Sequence, residues 1–485
     1  MKKRLTLLIC LTGILLTVGM LCSPLFSFAK SDIGIQEMPL LQEGDYEIVT
    51  YNKMSAKGPL TQSVEEAVYE AYLNVDETIN LLLYRVNPDD VGALLSNVIN
   101  DNPDLFYASS TYWVLDTMTV FGRTYANSVK LYYSMTADEI AAAKEIFSAG
   151  VEEALKSVDD SMNDLQKALT IHDYICDRAV YPADIDNNDD EIFHSAYGFF
   201  YDNNAVCAGY TLSFSYLMHE LGIDCEYVSS EAMQHAWNKI KIDGSWYNID
   251  LTFDNNDFIE GENTVGSVCH HFFMKSDDFF SGEDGLAHKG GKTKDDCTAS
   301  STDYDDFFWN GINSRIYVLD GSYYYIKPDY STDRAYLTKR ETDGSEQAIG
   351  TYYRAPHFQS TKGLNEVDEN NNVITHTVTV DDNLMRLAYL DGRFYISVYA
   401  NIYSQLLSGE RYSICSLGNN YIVGLSERKG EIVYNVYDSE TEYKLNKQDY
   451  LYNYLSTSKS TYNNYPDVNY DGAVNAKDYV KIIND

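Results

Sequence analysis

Residues 234–254 read QHAWNKIKIDGSWYNIDLTFD, a stretch with the pattern of a β-hairpin. Asp243-Gly244, between two runs of alternating residues, is a strong signal for a two-residue β-hairpin turn. With that turn, His235 and Asp250 become diagonal neighbours on one face of the hairpin, roughly 7 Å apart at the backbone. A three-residue loop would shift the register by one residue and separate the two side chains.

The turn also determines which side chains share a face. It pairs Ile242 with Ser245 and Trp237 with Asp250, and side chains alternate between the two faces along each strand. The face opposite His235 is apolar and is predicted to be core: Ala236, Ile240, Ile242, Tyr247, Ile249 and Leu251. Because an ordinary structural hairpin could have the same pattern, a catalytic role requires a nucleophile nearby.

A cysteine upstream of the hairpin supplies that nucleophile. After Cys207, apolar residues recur at helical spacing until Gly222, which predicts an amphipathic helix that begins at the cysteine and ends at a glycine cap. A helix N-terminus lowers a thiol's pKa, and its free N–H groups can stabilise an oxyanion. A nearby histidine can act as the base of a cysteine, and an aspartate can fix the imidazole tautomer.

Three motifs in this order resemble the transglutaminase-like superfamily. They are AVCAGYTLSFSYLMHELGIDCEYVSS at 205–230, HAWN at 235–238 and WYNIDLTFD at 246–254, and the resemblance extends over roughly residues 95–285. One departure is Ala208, where many members carry Glu or Arg.

The resemblance implies a papain-like core with a Cys–His–Asp triad. Cys207 is the expected nucleophile, His235 moves the proton and Asp250 orients His235. Members of this fold also need a second oxyanion donor, for which Tyr197 in the segment SAYG is the candidate. The competing interpretation of Tyr197 is a packed aromatic residue beneath the helix.

The implied reaction is thiol acyl transfer at a peptide or protein carboxamide. Water as acceptor gives a protease or amidase, and an amine gives a cross-linking enzyme. The sequence leaves this choice open, because acceptor selection depends on how water is excluded from the site. The alternative function is a non-catalytic adhesion or scaffold subunit whose β-rich region binds protein or glycan.

The other histidines are predicted to have structural or surface positions. His172 lies on a predicted helix and is expected to be structural, whereas helix phase places His219 on the surface. His270 and His271 follow Cys269, but neighbouring residues of a strand point to opposite faces, so joint metal ligation is not expected. No cofactor is expected for catalysis.

The N-terminal sequence and the composition indicate an exported protein. MKKRLTLLICLTGILLTVGMLCSPLFSFAK has basic residues before an apolar run and a small-x-small cleavage site, so residues 1–29 are predicted to be a signal peptide. The expected location is extracellular, without a membrane span. A net charge of −37 argues against nucleic acid or anionic membrane as partners. The cysteines after the signal are dispersed, which indicates neither a disulfide scaffold nor a zinc cluster.

The expected fold class is α+β: a papain-like transglutaminase-type core with an N-terminal α/β region, a β-rich C-terminal region and a short EF-hand-like calcium loop. Within the N-terminal region, Thr136 is a candidate helix N-cap. The predicted divisions are an α/β region at 30–160, the catalytic core at 161–300, a tyrosine-rich β domain at 301–455, a linker at 456–465 and a terminal calcium loop at 466–485.

The terminal segment 467–478, DVNYDGAVNAKD, has the spacing of a calcium loop. Gly472 at the sixth position permits the sharp turn. The predicted calcium ligands are Asp467, Asn469, Asp471, the Ala473 carbonyl, Asn475 through water, and Asp478.

This loop resembles one repeat of a dockerin. Asp478 replaces the usual final Glu of an EF-hand loop, and YVKII follows it. Dockerins attach secreted bacterial enzymes to cohesin domains on scaffoldins, usually in plant-fibre-degrading cellulosomes. A complete dockerin has two such repeats, so a cohesin partner is expected here only through a partial module.

Overall fold

The computed structural model describes residues 62–182, 191–255, 265–282, 286–293, 295–354, 385–418, 420–437 and 441–445, with the backbone alone of 357–367 and 373–383. The chain forms two compact units. The first contains the described residues up to Ile99 together with Ala108–Tyr133, and the second contains Asn100–Tyr107 and the described residues from Ser134 onward. The predicted signal peptide, the linker and the calcium loop with its six predicted ligands all lie outside the described residues.

The first unit is a small sheet with two helices. Its strands are β1 (Thr78–Asn80), β2 (Ala108–Val120) and β3 (Arg123–Tyr133), antiparallel in the order β1-β3-β2. The helices are α1 (Val64–Leu73) and α2 (Val91–Asp101), of which the last two residues are assigned to the second unit. Ser63 and Glu66 form a capping box that explains where α1 begins.

The second unit begins with a helical core around one central helix. The helices are α3 (Ala137–Leu155), α4 (Asp164–Arg178), α5 (Ala196–Asp202), α6 (Cys207–Glu220), the one-turn α7 (Leu251–Asp254) and α8 (Asp277–Ser281). Thr136 caps α3 through its side chain, which confirms the predicted N-cap. Short 3-10 turns lie at Leu82–Tyr84 and Pro88–Asp90 in the first unit, and at Pro103–Leu105, Glu191–His194 and Phe308–Gly311 in the second.

The predicted hairpin is present with the predicted register. Strands β4 (Cys225–Ser230), β5 (His235–Ile242) and β6 (Ser245–Ile249) form an antiparallel sheet, and Ile242 pairs with Ser245. Asp243 and Gly244 both have positive φ, 50° and 84°, as a type I′ turn requires. Pairing with β5 ends at Ile249, so Asp250 leaves the strand instead of continuing opposite Trp237.

Helix α6 begins at Cys207 as predicted, and Gly222 follows its end with a φ of 74°. The prediction of an amphipathic helix is wrong, however, because α6 is buried on nearly all sides, with only His219 and Glu220 exposed. It packs against α4, α5, α7, β4 and β5. The cysteine therefore begins the central helix of the core.

The C-terminal part of the second unit is β-rich, as predicted. The strands are β7 (Tyr317–Leu319), β8 (Ser322–Asp329), β9 (Arg334–Arg340), β10 (Glu346–Tyr353), β11 (His357–Val367), β12 (Val373–Asn383), β13 (Leu387–Leu390), β14 (Arg393–Val398), β15 (Asn401–Leu406), β16 (Arg411–Ser416), β17 (Ile422–Arg428), β18 (Glu431–Val436) and β19 (Glu442–Lys444). They form antiparallel sheets with the orders β10-β9-β8-β7, β11-β12, β13-β14-β15-β16 and β17-β18-β19. Tyrosines such as Tyr324 and Tyr352 are buried between sheets, so they serve in packing.

A buried carboxylate joins the helical core to the β-rich part. Asp177, near the end of α4, accepts hydrogen bonds from Ser426 Oγ at 2.5 Å and Arg428 at 2.7 Å in β17. Arg178 and Arg315 lie 3.3 and 3.4 Å from the same oxygen. Burial acts to raise the pKa of Asp177, but the three guanidinium groups outweigh it and hold that pKa well below its usual range. The described helices include none that is both long and apolar enough to cross a membrane.

Candidate active site

Cys207 is the first residue of α6, with 7 % of its surface exposed and its thiol free. The N-cap residue Val206 forms no side-chain cap, so no side chain satisfies the first-turn N–H groups from that position. Gly209 allows the preceding segment to approach, because an added Cβ would lie 2.6 Å from the Phe193 carbonyl oxygen. The Cys-x-Gly pattern thus places the thiol on a tightly packed helix start.

His235 begins β5 and faces the triad aspartate. Its Nε2 lies 2.6 Å from Asp250 Oδ2, which leaves Nδ1 as the nitrogen that can face a thiol. The Cys207 thiol lies close enough to His235 to contribute to the raised pKa of that imidazole. The Phe253 ring lies edge-on at 5.1 Å and the Trp237 ring is stacked at 6.1 Å. The structure thus brings Cys207, His235 and Asp250 together.

Asp250 reaches His235 as a helix cap. It is the N-cap of α7, and its Oδ1 accepts a hydrogen bond from the Phe253 backbone N–H at 3.1 Å. Its other oxygen is left for His235, so the single turn of α7 fixes the carboxylate orientation. The diagonal neighbourhood predicted from the register is retained although the strand pairing itself stops one residue earlier.

The electrostatics favour an imidazolium beside a carboxylate. Burial acts to lower the pKa of His235, but the Asp250 charge and hydrogen bond, together with Cys207, raise it to about 10. Burial acts to raise the pKa of Asp250, but His235 and then His288 outweigh it and hold that pKa well below its usual range. A helix N-terminus and an imidazolium both stabilise negative charge on a nearby sulfur.

Residues of the three motifs hold these elements in place. Asn238 Nδ2 donates to the Thr211 carbonyl at 3.0 Å and so ties β5 to α6. Trp237 Nε1 donates to Asn248 Oδ1 at 3.2 Å across the hairpin. Tyr210, on α6, accepts a 2.6 Å hydrogen bond from Asn255 at the end of α7.

His288 is a residue of the site that sequence reasoning missed. Its Nε2 lies 2.9 Å from Asp250 Oδ2, so two histidines share one carboxylate oxygen. The segment LAHKGG has no periodic pattern or motif that would have indicated this position. Only the spatial path of the chain brings His288 to the triad.

Tyr197, the predicted oxyanion donor, lies in α5 among aromatic rings. It stacks on Phe106 at 4.6 Å and on Tyr201 at 5.4 Å, a packing environment that fits the competing interpretation. Two other tyrosines lie near the triad: burial and then the charges of Cys207 and Asp250 raise the pKa of Tyr181, and burial and then the charge of Cys207 raise the pKa of Tyr227.

Helix α4 carries a second cysteine–histidine–aspartate group. Cys176 Sγ is 3.6 Å from His172 Nε2, and His172 Nδ1 is 3.0 Å from Asp173 Oδ1. All three side chains are buried, and burial raises the pKa of the Cys176 thiol to about 11. A protonated, enclosed thiol cannot serve as a nucleophile, so these contacts fit the structural role expected for His172.

The surface position predicted for His219 is confirmed, whereas His270 and His271 lie outside any strand and not on the strand assumed for them. His219 is exposed, with Nε2 2.7 Å from the Cys225 carbonyl oxygen. His270 is buried and contacts Asp173 at 2.9 Å, whereas the His271 ring packs on Phe272 and Phe279.

Two groups of described residues have the composition of a metal site. They are His172, Asp173 and His270, and His235, Asp250 and His288, each with ligand atoms within 4.8 Å of one another. In both groups an aspartate oxygen already lies within hydrogen-bond distance of both histidines. Hydrogen bonding therefore accounts for both arrangements without an ion.

Comparison with known proteins supports a family for this part of the chain. Residues 153–251 match the family model for domains of the transglutaminase-like superfamily, and the matched segment includes all three triad positions. Such domains are typically those of cysteine proteases or acyltransferases. No curated protein matches the chain.

Two solved structures are similar to parts of the chain. One is a crystal structure of a TGase, with 17% identity and a TM-score of 0.21, over 30% of this chain and 45% of that one. The other is a Cytophaga hutchinsonii protein provisionally described as a cysteine protease, with 16% identity and a TM-score of 0.19, over 29% of this chain and 62% of that one. The chain thus spans less than two thirds of either.

Proposed function

We propose that the protein is a thiol acyltransferase or hydrolase that acts on peptide or protein carboxamides. The observation that supports this most strongly is the arrangement of the triad: Cys207 begins a helix and acts on the pKa of His235, and His235 lies 2.6 Å from Asp250. A nucleophile, a base and an orienting carboxylate in this order are the parts that acyl transfer through a thioester requires.

In the first half-reaction, the Cys207 thiolate attacks the carbonyl carbon of the carboxamide. The backbone N–H groups at the start of α6 stabilise the oxyanion that forms. The C–N bond breaks as the His235 imidazolium gives its proton to the departing ammonia or amine. A thioester on Cys207 and a neutral His235 remain.

In the second half-reaction, an acceptor attacks the thioester. His235 takes the acceptor's proton as the C–S bond breaks, which restores the thiolate and the imidazolium. Water as acceptor completes hydrolysis, and a primary amine completes transamidation. Asp250 holds His235 in position and stabilises its charge in both halves.

The proposal is tested with a glutamine-containing peptide and a denatured protein, each with and without a primary amine. Ammonia release and mass spectrometry separate deamidation, amine addition and peptide-bond cleavage. We expect Cys207→Ala to lower turnover by about 10³-fold or more. Cys415→Ser, in the β-rich part, is the matched control and should retain activity. Equal activity of Cys207→Ala and the wild type would refute the proposal.

We further propose that the protein is secreted and that calcium has a structural role in the segment 466–485, with none in catalysis. The supports are the predicted signal at 1–29 and the spacing of loop oxygens at 467–478. Attachment to a cohesin-like partner through this partial dockerin repeat belongs to the same proposal.

A further inference from the structure

We propose that His288 is a positioning residue of the triad, which holds the Asp250 carboxylate so that Asp250 can orient His235. This inference rests on the proposed function and deepens it. Asp250 Oδ2 accepts hydrogen bonds from both histidines, His235 at 2.6 Å and His288 at 2.9 Å. Its Oδ1 accepts a hydrogen bond from the Phe253 N–H at 3.1 Å. Three donors from three segments thus fix the carboxylate against rotation.

The segment 286–293 is anchored in a way that places His288 at this point. The His288 N–H donates to the Phe280 carbonyl at 2.7 Å, and Ser229 and Lys292 exchange backbone hydrogen bonds of 3.1 and 2.8 Å. Ser230 Oγ donates to the Lys289 carbonyl at 2.6 Å. The segment therefore runs along β4 and holds its histidine over the triad.

The backbone just before His288 adopts an uncommon conformation. Leu286 and Ala287 have φ values of 56° and 50°, a region that residues with a Cβ seldom occupy. Such conformations persist only where the surrounding structure imposes them. Further along, Gly291 lies against the Trp237 ring, where an added Cβ would be 2.6 Å from a ring carbon.

Aromatic rings enclose the His288 imidazole. The Phe280 centroid lies 4.5 Å away, Trp237 at 5.1 Å and Phe253 at 5.7 Å. In such surroundings a hydrogen bond to a carboxylate is stronger than in water, and an unsatisfied carboxylate oxygen is costly. The hydrogen bond from His288 therefore stabilises the negative charge of Asp250.

A second donor on Oδ2 also has a chemical consequence. During the reaction His235 carries a proton that Asp250 must stabilise without accepting. A donor that already occupies Oδ2 weakens the affinity of that oxygen for a proton, so the proton stays on His235 for transfer to the leaving group. The titratable groups that act on this carboxylate are His235 and His288, with Cys207 and Tyr181 close by.

Two substitutions of similar size separate hydrogen bonding from packing. His288→Gln keeps an N–H donor, whereas His288→Met fills the aromatic enclosure without one. We expect His288→Met to lower kcat about ten- to hundred-fold with KM within about two-fold, as for the loss of one hydrogen bond to a charged group. His288→Gln should restore most of the loss. His219→Ala, which removes an exposed histidine, is the control.

The pH profile of Cys207 alkylation gives a readout that a structural role alone would not change. With iodoacetamide as the probe, the acid limb of the profile should move to higher pH in His288→Met and return towards the wild type in His288→Gln. Circular dichroism and thermal midpoints compare the folding of each variant.

The inference is overturned if His288→Met retains wild-type kcat and alkylation profile, or if His288→Gln is impaired as much as His288→Met. Failure of the proposed function would look different. In that case wild-type Cys207 itself would react no faster than Cys415, and the wild type would show no turnover.

Discussion

Asp250 and His235 form a buried pair whose contribution to stability depends on pH. The pKa of His235 is raised from 6.5 to about 10, so its contribution is fully present below pH 6.5 and is lost as pH rises towards 10. The pKa of Asp250 is lowered from 3.8, so its contribution is present above that pH and is lost on acidification. The pair should therefore stabilise the fold most between about pH 4 and pH 6.5.

Asp250→Asn tests this window at the level of one residue. The amide can still cap α7 but removes the charge that raises the pKa of His235. We expect the free energy of unfolding of the wild type to fall more between pH 6.5 and pH 10 than that of Asp250→Asn. Urea unfolding across this range measures the difference, and parallel curves for the two proteins would contradict the assignment.

At the residue scale, the sequence was sufficient to place the residues whose positions depend on a nearby turn or helix. The turn at Asp243-Gly244 fixed the register of His235, and helix spacing placed Cys207 at a helix start. His288 could not be predicted, because its position depends on how the segment 286–293 follows β4. The Cys176–His172 contact shows that a cysteine beside a histidine is not enough for a nucleophile. This pair is enclosed in the core, and the Cys176 thiol stays protonated.

At the scale of elements, the close approach at Gly209 carries a prediction about α6. An added Cβ at this residue would lie 2.6 Å from the backbone oxygen of Phe193, which is not the end of a flexible side chain. Gly209→Ala must therefore displace α6 or the preceding segment, at a cost of about 1–3 kcal/mol in the free energy of unfolding, and should lower kcat.

Gly311→Ala is the matched control, because a Cβ there would meet nothing within 4 Å. Chemical denaturation and turnover of both variants check the prediction. Equal stability of Gly209→Ala and Gly311→Ala would show that the approach of the Phe193 carbonyl to α6 is looser than described.

The burial of α6 on nearly all sides could not be predicted from its sequence. Thr211, Ser213 and Ser215 are polar, but their hydroxyls donate to carbonyl oxygens of the preceding turn at 2.8, 2.7 and 3.2 Å. These hydrogen bonds satisfy the polar atoms within the helix, so the three side chains can be buried. Hydrophobic periodicity alone does not indicate that a polar side chain has its hydrogen-bond partner within the same helix.

At the scale of the whole molecule, Asp177 carries a prediction about how the β-rich part is attached to the helical core. Asp177→Asn would leave Arg178, Arg315 and Arg428 without their shared carboxylate. Removing one partner of a buried ionic group costs about 3–5 kcal/mol, so we expect a loss of that order in the free energy of unfolding. Urea denaturation followed by tryptophan fluorescence measures it.

Glu152→Gln provides the comparison for Asp177→Asn. Glu152 pairs with Lys156 on an exposed face of α3, and such pairs contribute little to stability. If Asp177→Asn lowers the free energy of unfolding no more than Glu152→Gln does, the buried cluster around Asp177 is not what joins the helical core to the β-rich part.

The calcium proposal is also tested on the whole chain. Calorimetry of calcium binding should give one site in the full protein and none after deletion of residues 456–485. Turnover in excess chelator should be unchanged, because no step of the proposed reaction uses the ion. Undiminished binding after the deletion would refute the terminal site, and activity abolished by chelator would place calcium in the catalytic core.

The most direct test of the central claim is the rate at which iodoacetamide alkylates each cysteine at pH 6, read by mass spectrometry. Cys207 should react at least about tenfold faster than enclosed Cys176, because a thiolate, not a thiol, is the reactive form. His235→Asn should abolish that advantage while the fold survives. Equal, slow labelling of Cys207 and Cys176 in the wild type, or Cys207 found in a disulfide, would contradict the assignment of Cys207 as the nucleophile.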